Sequence, residues 1–321
     1  MNRCLTMVSR AKGYLKHRRA LGFALDISGK LLMQFARFAD RSGHRGPLTT
    51  DLALRWASLP EGASPRYRAE RLSIVRTFAR YLAAEDGQSE VPDRCLLGKN
   101  HYRLQPHIYS QQQLRDLVRA AAELRAIYRL RPLTYSTFFG LLASTGLRVS
   151  EALGLDKDHV DLARGVLRIE QTKFRKSRLV PLHPTVTRAM RRYARERDRD
   201  PQARHSNAFF IGCHGRGIPY GTLRHTFRCL CAQLEWRSNG MLPRPRIHDI
   251  RHTFACRRLL YWYKQGVDVD HRIAALSTYL GHGKVTDTYW YLTGTTQLFA
   301  TAGERFERFA GKSSGGDHEK G

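Results

Sequence analysis

The sequence predicts a mainly α-helical fold with one small β-sheet, arranged as two domains. Three observations carry that expectation. Apolar residues recur at helical spacing through most of the chain, as in Leu72, Val75, Ala79 and Leu82. One region, residues 166–182, alternates as paired strands do. Between residues 86 and 107 the periodicity lapses into Pro92, Gly98 and Pro106, mixed with Arg94, Lys99 and Arg103, which reads as an interdomain linker. The expected boundaries are a helical domain over residues 1–90, a linker over 91–108, a second domain over 109–311 and a polar, disordered tail over 312–321.

Composition narrows the class of partner. Of 321 residues, 55 are Lys or Arg and 28 are Asp or Glu, a formal net charge of +27. Such an excess favours a polyanion, so a nucleic acid is expected. The length allows two domains that each bury a core. The cysteines Cys4, Cys95, Cys213, Cys229, Cys231 and Cys256 include no C-x-x-C pair. A metal site is therefore not expected, and most of the thiols should be reduced, buried small side chains. No apolar run approaches the length of a membrane span, and the basic start lacks an apolar leader with a cleavage site. A cytoplasmic, nucleoid-associated protein is the expectation.

Each element has a local reason. Ile27, Leu31, Phe35 and Phe38 make one amphipathic face, and residues 51–59 a short helix. Ser64 before Pro65 is an N-cap with proline in the first turn. The helix it opens carries Arg66, Arg68, Arg71, Arg76 and Arg80 around its apolar side, which is either a solvated face or one that binds DNA. Ser110 and Gln113 form a capping-box pair that starts the second domain, with Leu114, Leu117, Ala121 and Leu124 as its stripe. Residues 135–144 are strongly apolar, a buried helix that stops at Thr145 and Gly146. Residues 166–170 and 178–182 are two strands of a hairpin whose turn spans 171–177. Further helices are expected over 184–197 and 222–234, with 209–211 as a short apolar strand between them. Ile273, Leu276 and Leu280 mark another helix, and Leu298, Phe299, Ala302, Phe306 and Phe309 a last apolar stripe.

The chemistry lies in pieces that only gain meaning together. Thr145-Gly146-Leu147-Arg148-Val149-Ser150-Glu151 comes first, then Thr172-Lys173, then His248-Asp249-Ile250-Arg251-His252, then Leu280-Gly281-His282, with Tyr291 nine residues beyond that histidine. Cutting a phosphodiester without metal or water needs a nucleophile, cationic donors for the non-bridging oxygens and an acid for the departing 5′ oxygen. Guanidinium is planar, permanently charged and matched to phosphate, which suits Arg148 and Arg251. Arg148 opens a helix, where backbone N–H groups also favour an anion, and Glu151, three residues on, can hold it from the same face. His248 and His282 can donate to the phosphate or exchange a proton near neutral pH.

In that order these pieces resemble the signature of the tyrosine recombinases, the phage-integrase and Xer family, over residues 109–311. The resemblance implies a helical (SAM-like) core-binding domain followed by an α/β catalytic domain. It implies Arg148, Lys173, His248, Arg251, His282 and Tyr291 as catalytic, with Tyr291 as nucleophile and Lys173 as general acid. Lys176 is the rival acid from the same turn, and Arg175 and Lys176 are candidate phosphate contacts. Tyr279 and Tyr289 compete for the nucleophile's role; on one helix Tyr289 and Tyr291 lie about 200° apart, so only one can face the site. His252 stays outside the primary set. The chain departs from the family pattern at Gly283-Lys284 and at Thr286 and Thr288, separated by Asp287.

The implied activity is site-specific recombination of duplex DNA through a 3′-phosphotyrosine, without metal or cofactor, for integration or excision of a mobile element. The implied assembly is a homotetramer on paired sites, formed from free monomers, alone or with sister recombinases. Two other readings stay open: a type IB topoisomerase-like relaxase, and a catalytically silent DNA-binding accessory protein.

Overall fold

A computed structural model of the chain describes residues 6–59, 61–98, 105–170, 177–236, 244–282 and 284–289. Lys173, Arg175, Lys176, Tyr291, the last apolar stripe and the 312–321 tail lie outside them. The chain divides into two compact units, Met1–Arg103 and Leu104–Gly321.

The described residues of the first unit form four helices, α1 (Met7–Ala20), α2 (Asp26–Arg41), α3 (Thr50–Ser58) and α4 (Pro65–Asp86). Thr6, Thr49 and Ser64 each accept a backbone N–H as N-caps, and Gly87 closes α4 in the left-handed conformation. Their core is built from Tyr14, Leu32, Phe35, Trp56, Val75 and Phe78 with smaller neighbours. Ile27 does not join it and is 75% exposed. The buried stripe of α2 centres on Leu32, Phe35, Ala36 and Ala39, and at about 100° per residue Ile27 sits about 140° around the helix from Leu32.

Arg71 does not share the expected basic face of α4. It falls one turn before Val75 on the buried stripe of α4 and is buried itself. Its guanidinium stacks 3.7 Å above the Trp56 ring, and Nη2 donates to the Trp56 carbonyl at 2.7 Å. Arg71 thus ties α4 to α3 instead of facing a phosphate. Arg76 is half-buried and donates to the Pro92 carbonyl at 2.8 Å, whereas Arg66 and Arg80 are exposed and Arg68 is half-buried. Arg71→Met should lower the unfolding free energy of this unit by about 2 kcal/mol through the lost stacking and hydrogen bond. Urea unfolding checks it, and a parent-like midpoint would refute the assignment.

The stretch just ahead of the expected linker is tied into this unit. Glu90 N–H donates to the Leu48 carbonyl at 2.8 Å, Leu48 N–H to Ser89 Oγ at 3.1 Å, and Thr50 N–H to Glu90 Oε2 at 2.8 Å. Arg10 pairs with Asp86 beside them.

The second unit surrounds one apolar helix. Its described elements are α5 (Gln111–Ala122), α6 (Arg131–Thr145), α7 (Val149–Leu153), β1 (Val160–Asp161), β2 (Val166–Ile169), β3 (Arg178–Pro181), α8 (Pro184–Asp198), α9 (Tyr220–Gln233), α10 (Ile247–Lys264), α11 (Val269–Leu280) and α12 (Thr286–Tyr289). Phe138 and Phe139 on α6 are fully buried and meet Phe210 and Phe227. The strands form an antiparallel sheet in the order β1-β2-β3, with Ile169 opposite Arg178 and Val166 opposite Pro181. Residues 209–211 are not a strand: the neighbourhood has only isolated bridges, Asp156 with Ala208 and Ile211 with Gly217, and both phenylalanines serve the core. A smaller cluster, including Ala255, Cys256, Leu259, Leu276 and Leu280, joins α10 to α11.

Among the described residues no helix is long and apolar enough to cross a membrane, and no group of three His, Cys, Asp or Glu is placed to hold a metal. The thiols differ from expectation. Cys95, Cys213 and Cys229 are exposed, while Cys231 and Cys256 are buried and pushed up to about 12 by that burial.

Candidate active site

Of the sequence pieces, those that hold Arg148, Arg251 and His282 meet where α6, α7, β3, α10 and α11 end or begin. Gly146 closes α6 at φ +63°, and a Cβ there would come within 2.5 Å of Phe254 Cδ1. This close approach brings the Gly146 carbonyl to Arg251, whose Nη1 donates to it at 2.8 Å. Arg251 is buried on α10, and its Nη2 donates to the Leu280 carbonyl at 2.7 Å. Arg148 lies at the N-cap of α7; its Nη2 donates to the Gly281 carbonyl at 2.6 Å and its Nη1 to Glu151 Oε1 at 2.7 Å.

A third arginine completes the arrangement. Arg178 Nε donates to the Tyr279 carbonyl at 2.7 Å. The successive carbonyls of residues 279, 280 and 281, at the negative end of α11, are thus each held by a different guanidinium: Arg178, Arg251 and Arg148. Sequence reasoning missed Arg178, although a signal existed. The period of two places it on the same side of its strand as the buried Val180 and Leu182.

Glu151 is the carboxylate of the cluster. It accepts the Arg148 N–H at 3.0 Å and two bonds from Arg178, at 3.1 and 2.7 Å. The N–H at the opening of α7 therefore already has a carboxylate on it, and the helix is only five residues long. Burial would raise this carboxyl's pKa, but Arg178 and then Arg148 hold it below the usual range. Three guanidiniums against one carboxylate leave the cluster strongly cationic.

The histidines surround it. His282 follows the αL turn at Gly281; its N–H donates to the Ser277 carbonyl, and its Nδ1 shares a 2.7 Å hydrogen bond with Oγ1 of the fully buried Thr288. The shift of threonines noticed in the sequence thus supplies a partner for His282. His248 lies one turn before His252 on α10, with the rings edge to face at 4.8 Å. His248 presents an exposed edge, yet desolvation by the surrounding protein, and then the charge of Arg251, hold its pKa below the ordinary value. Tyr279 packs its ring on Phe254, and burial raises its pKa, which keeps it a neutral phenol. Tyr289 is 43% exposed on α12.

His252 is pushed down to about 3, first by burial and then by the charges of His248, Arg246, Arg251 and His282. An unfolded histidine titrates near 6.5. Between these values the unfolded chain binds a proton that the native one does not. Stability is therefore lost as the pH falls below about 6.5, by at most about 1.4 kcal/mol per pH unit. His252→Asn should flatten the fall in urea midpoint between about pH 7 and pH 4, and an unchanged slope would exclude this ring as the cause.

Comparison with known proteins bears on the whole arrangement. The phage integrase family profile matches residues 108–297. A protein of Sinorhizobium fredii described as an integrase/recombinase, y4rB, is 40% identical over 299 residues, covering 92% of this chain and 95% of that one. Tyrosine recombinase XerC of Azotobacter vinelandii is 30% identical over 232 residues, 72% of this chain and 70% of its own. The Tn1549 transposon integrase, solved in complex with transposon right end DNA, superposes with a TM-score of 0.66 over 95% of this chain and 100% of its own, at 17% identity, a likeness of fold. The chain belongs to the phage integrase family, the tyrosine recombinases. It is an enzyme class that cleaves and rejoins DNA in site-specific recombination.

Proposed function

We propose that the protein exchanges duplex DNA strands at paired sites for the integration or excision of a mobile element, with Tyr291 as nucleophile. The observation that supports this most is the turn at 279–281, gripped by three arginines and followed at once by His282. Arg148 and Arg251 would hold the non-bridging oxygens of the scissile phosphate. The Tyr291 oxygen would bond to phosphorus as the bond to the 5′ oxygen breaks, with Lys173 giving that oxygen a proton. His248 and His282 would donate to the phosphate or take the tyrosine proton. The bond energy stays in the phosphotyrosine, so a 5′ hydroxyl of another strand can reverse the step.

Arg66, Arg68 and Arg80 on α4 are offered as phosphate contacts of a core-binding module over residues 1–90, and Arg175 and Lys176 as contacts from the hairpin turn. A homotetramer on DNA, with or without sister recombinases, would bring paired sites together. Covalent capture tests the reading: nicked duplexes tiled across the DNA flanking the gene are incubated with the protein and run on a denaturing gel. A protein–DNA adduct is the expected result; tight binding without an adduct on any duplex would overturn it.

A further inference from the structure

All three guanidinium nitrogens of Arg178 bond to the protein. Nη1 and Nη2 grip the two oxygens of Glu151, Nε holds the Tyr279 carbonyl, and the side chain is 11% exposed. Its place at the start of β3, opposite Ile169, links the hairpin to α7 and α11. Glu151 in turn holds Arg148 by both its backbone N–H and its Nη1. Gly281 shows how closely the pieces fit: at φ +68°, a Cβ would lie 2.7 Å from Arg178 Nη1 and 3.4 Å from Arg148 Nη1.

We propose that Arg178 is a positioning residue for strand cleavage, acting through Glu151 on the guanidinium of Arg148 and through the 279–281 turn on His282. This rests on the reading that Arg148 and His282 face the scissile phosphate. Two consequences follow from charge and geometry. Arg178 shares the negative charge of Glu151; without it the carboxylate falls on Arg148 alone and cancels what that arginine offers a phosphate. Arg178 also fixes the carbonyl two residues ahead of Gly281, so the turn that sets the direction of His282 is held from the strand side. A guanidinium is needed because the bonds leave from three separate nitrogens of a planar fork, whereas the three donors of an ammonium all radiate from one nitrogen.

The test is single-turnover cleavage of the nicked flanking duplexes, with duplex affinity measured alongside. Tyr291→Phe serves as the blank, so adduct formation by the parent establishes the chemistry independently of Arg178. R178Q is expected to cleave about tenfold to a hundredfold more slowly, the scale of a misplaced reactive group, with affinity within about threefold of the parent, since a residue that touches no phosphate leaves the counterions it releases unchanged. R178K should recover little. The discriminating variant is E151Q/R178Q, which removes both charges and should cleave faster than R178Q alone. Parent-like cleavage by R178Q overturns the proposal. So does a double variant slower than either single one, which is what two independent contributions or general loss of structure would give. A parent that forms no adduct sinks this inference together with the reading beneath it.

Discussion

Replacing Tyr291 with phenylalanine is expected to abolish the covalent protein–DNA adduct, by about 10³-fold or more, while leaving duplex affinity within about twofold. The phenol oxygen is the only atom removed, so packing and net charge are unchanged. Tyr289→Phe and Tyr279→Phe are the controls. Tyr279 is packed on Phe254 with a raised pKa, and Tyr289 is an exposed residue of α12. Both variants should keep the adduct. An adduct lost in Tyr289→Phe and kept in Tyr291→Phe would move the nucleophile by two residues and overturn the spacing argument from His282.

Arg251→Ala is expected to have the second largest effect, a fall in cleavage of about 10²- to 10³-fold, as for removal of one oxyanion donor. It should carry a stability cost that Arg148→Ala does not match. Arg251 is buried and joins the Gly146 and Leu280 carbonyls, so its loss leaves two buried acceptors without that donor, at about 1–3 kcal/mol each. Arg148 has a 22% exposed side chain, and water can replace it. Arg251→Lys should fail almost as badly, because a single nitrogen cannot reach carbonyls on two separate segments. Single-turnover cleavage and urea unfolding of the three variants check this; Arg251→Lys within tenfold of the parent would refute it.

The sequence was most legible where a signal is local. Ser64 with Pro65, Ser110 with Gln113, and Gly146 announce helix ends from neighbouring residues, and each end lies where expected. The alternation of 166–170 and 178–182 gave the β2-β3 hairpin. Arg148, Glu151, Arg251 and His282 stand out because spaced motifs name them, and the structure brings Arg148, Arg251 and His282 to one turn, with Glu151 bonded to Arg148 beside it. What stayed hidden depends on through-space neighbours. Arg71 is inside because Trp56, fifteen residues earlier, offers both a ring and a carbonyl. Thr288 is buried against a histidine six residues back. Arg178 finds its carboxylate twenty-seven residues away. Ile27 shows the opposite failure, a regular spacing whose phase is set by packing rather than by periodicity alone.

The entry to the second unit has a consequence for where the chain can be cut. Tyr109 N–H donates to Thr253 Oγ1 at 3.0 Å and its hydroxyl to the Arg246 carbonyl at 2.9 Å, while its ring stacks edge to face with His107 and lies tilted against Trp236. Thr253 and Arg246 belong to the first turns of α10, the helix that carries Arg251 and His248. An expression fragment that begins at Gln111 would keep all of α5 and look complete by helix boundaries, yet it would open a tyrosine-sized hole beneath the helix that carries the arginine and histidine. The natural trimming point lies ahead of His107, where a fragment retains the plug.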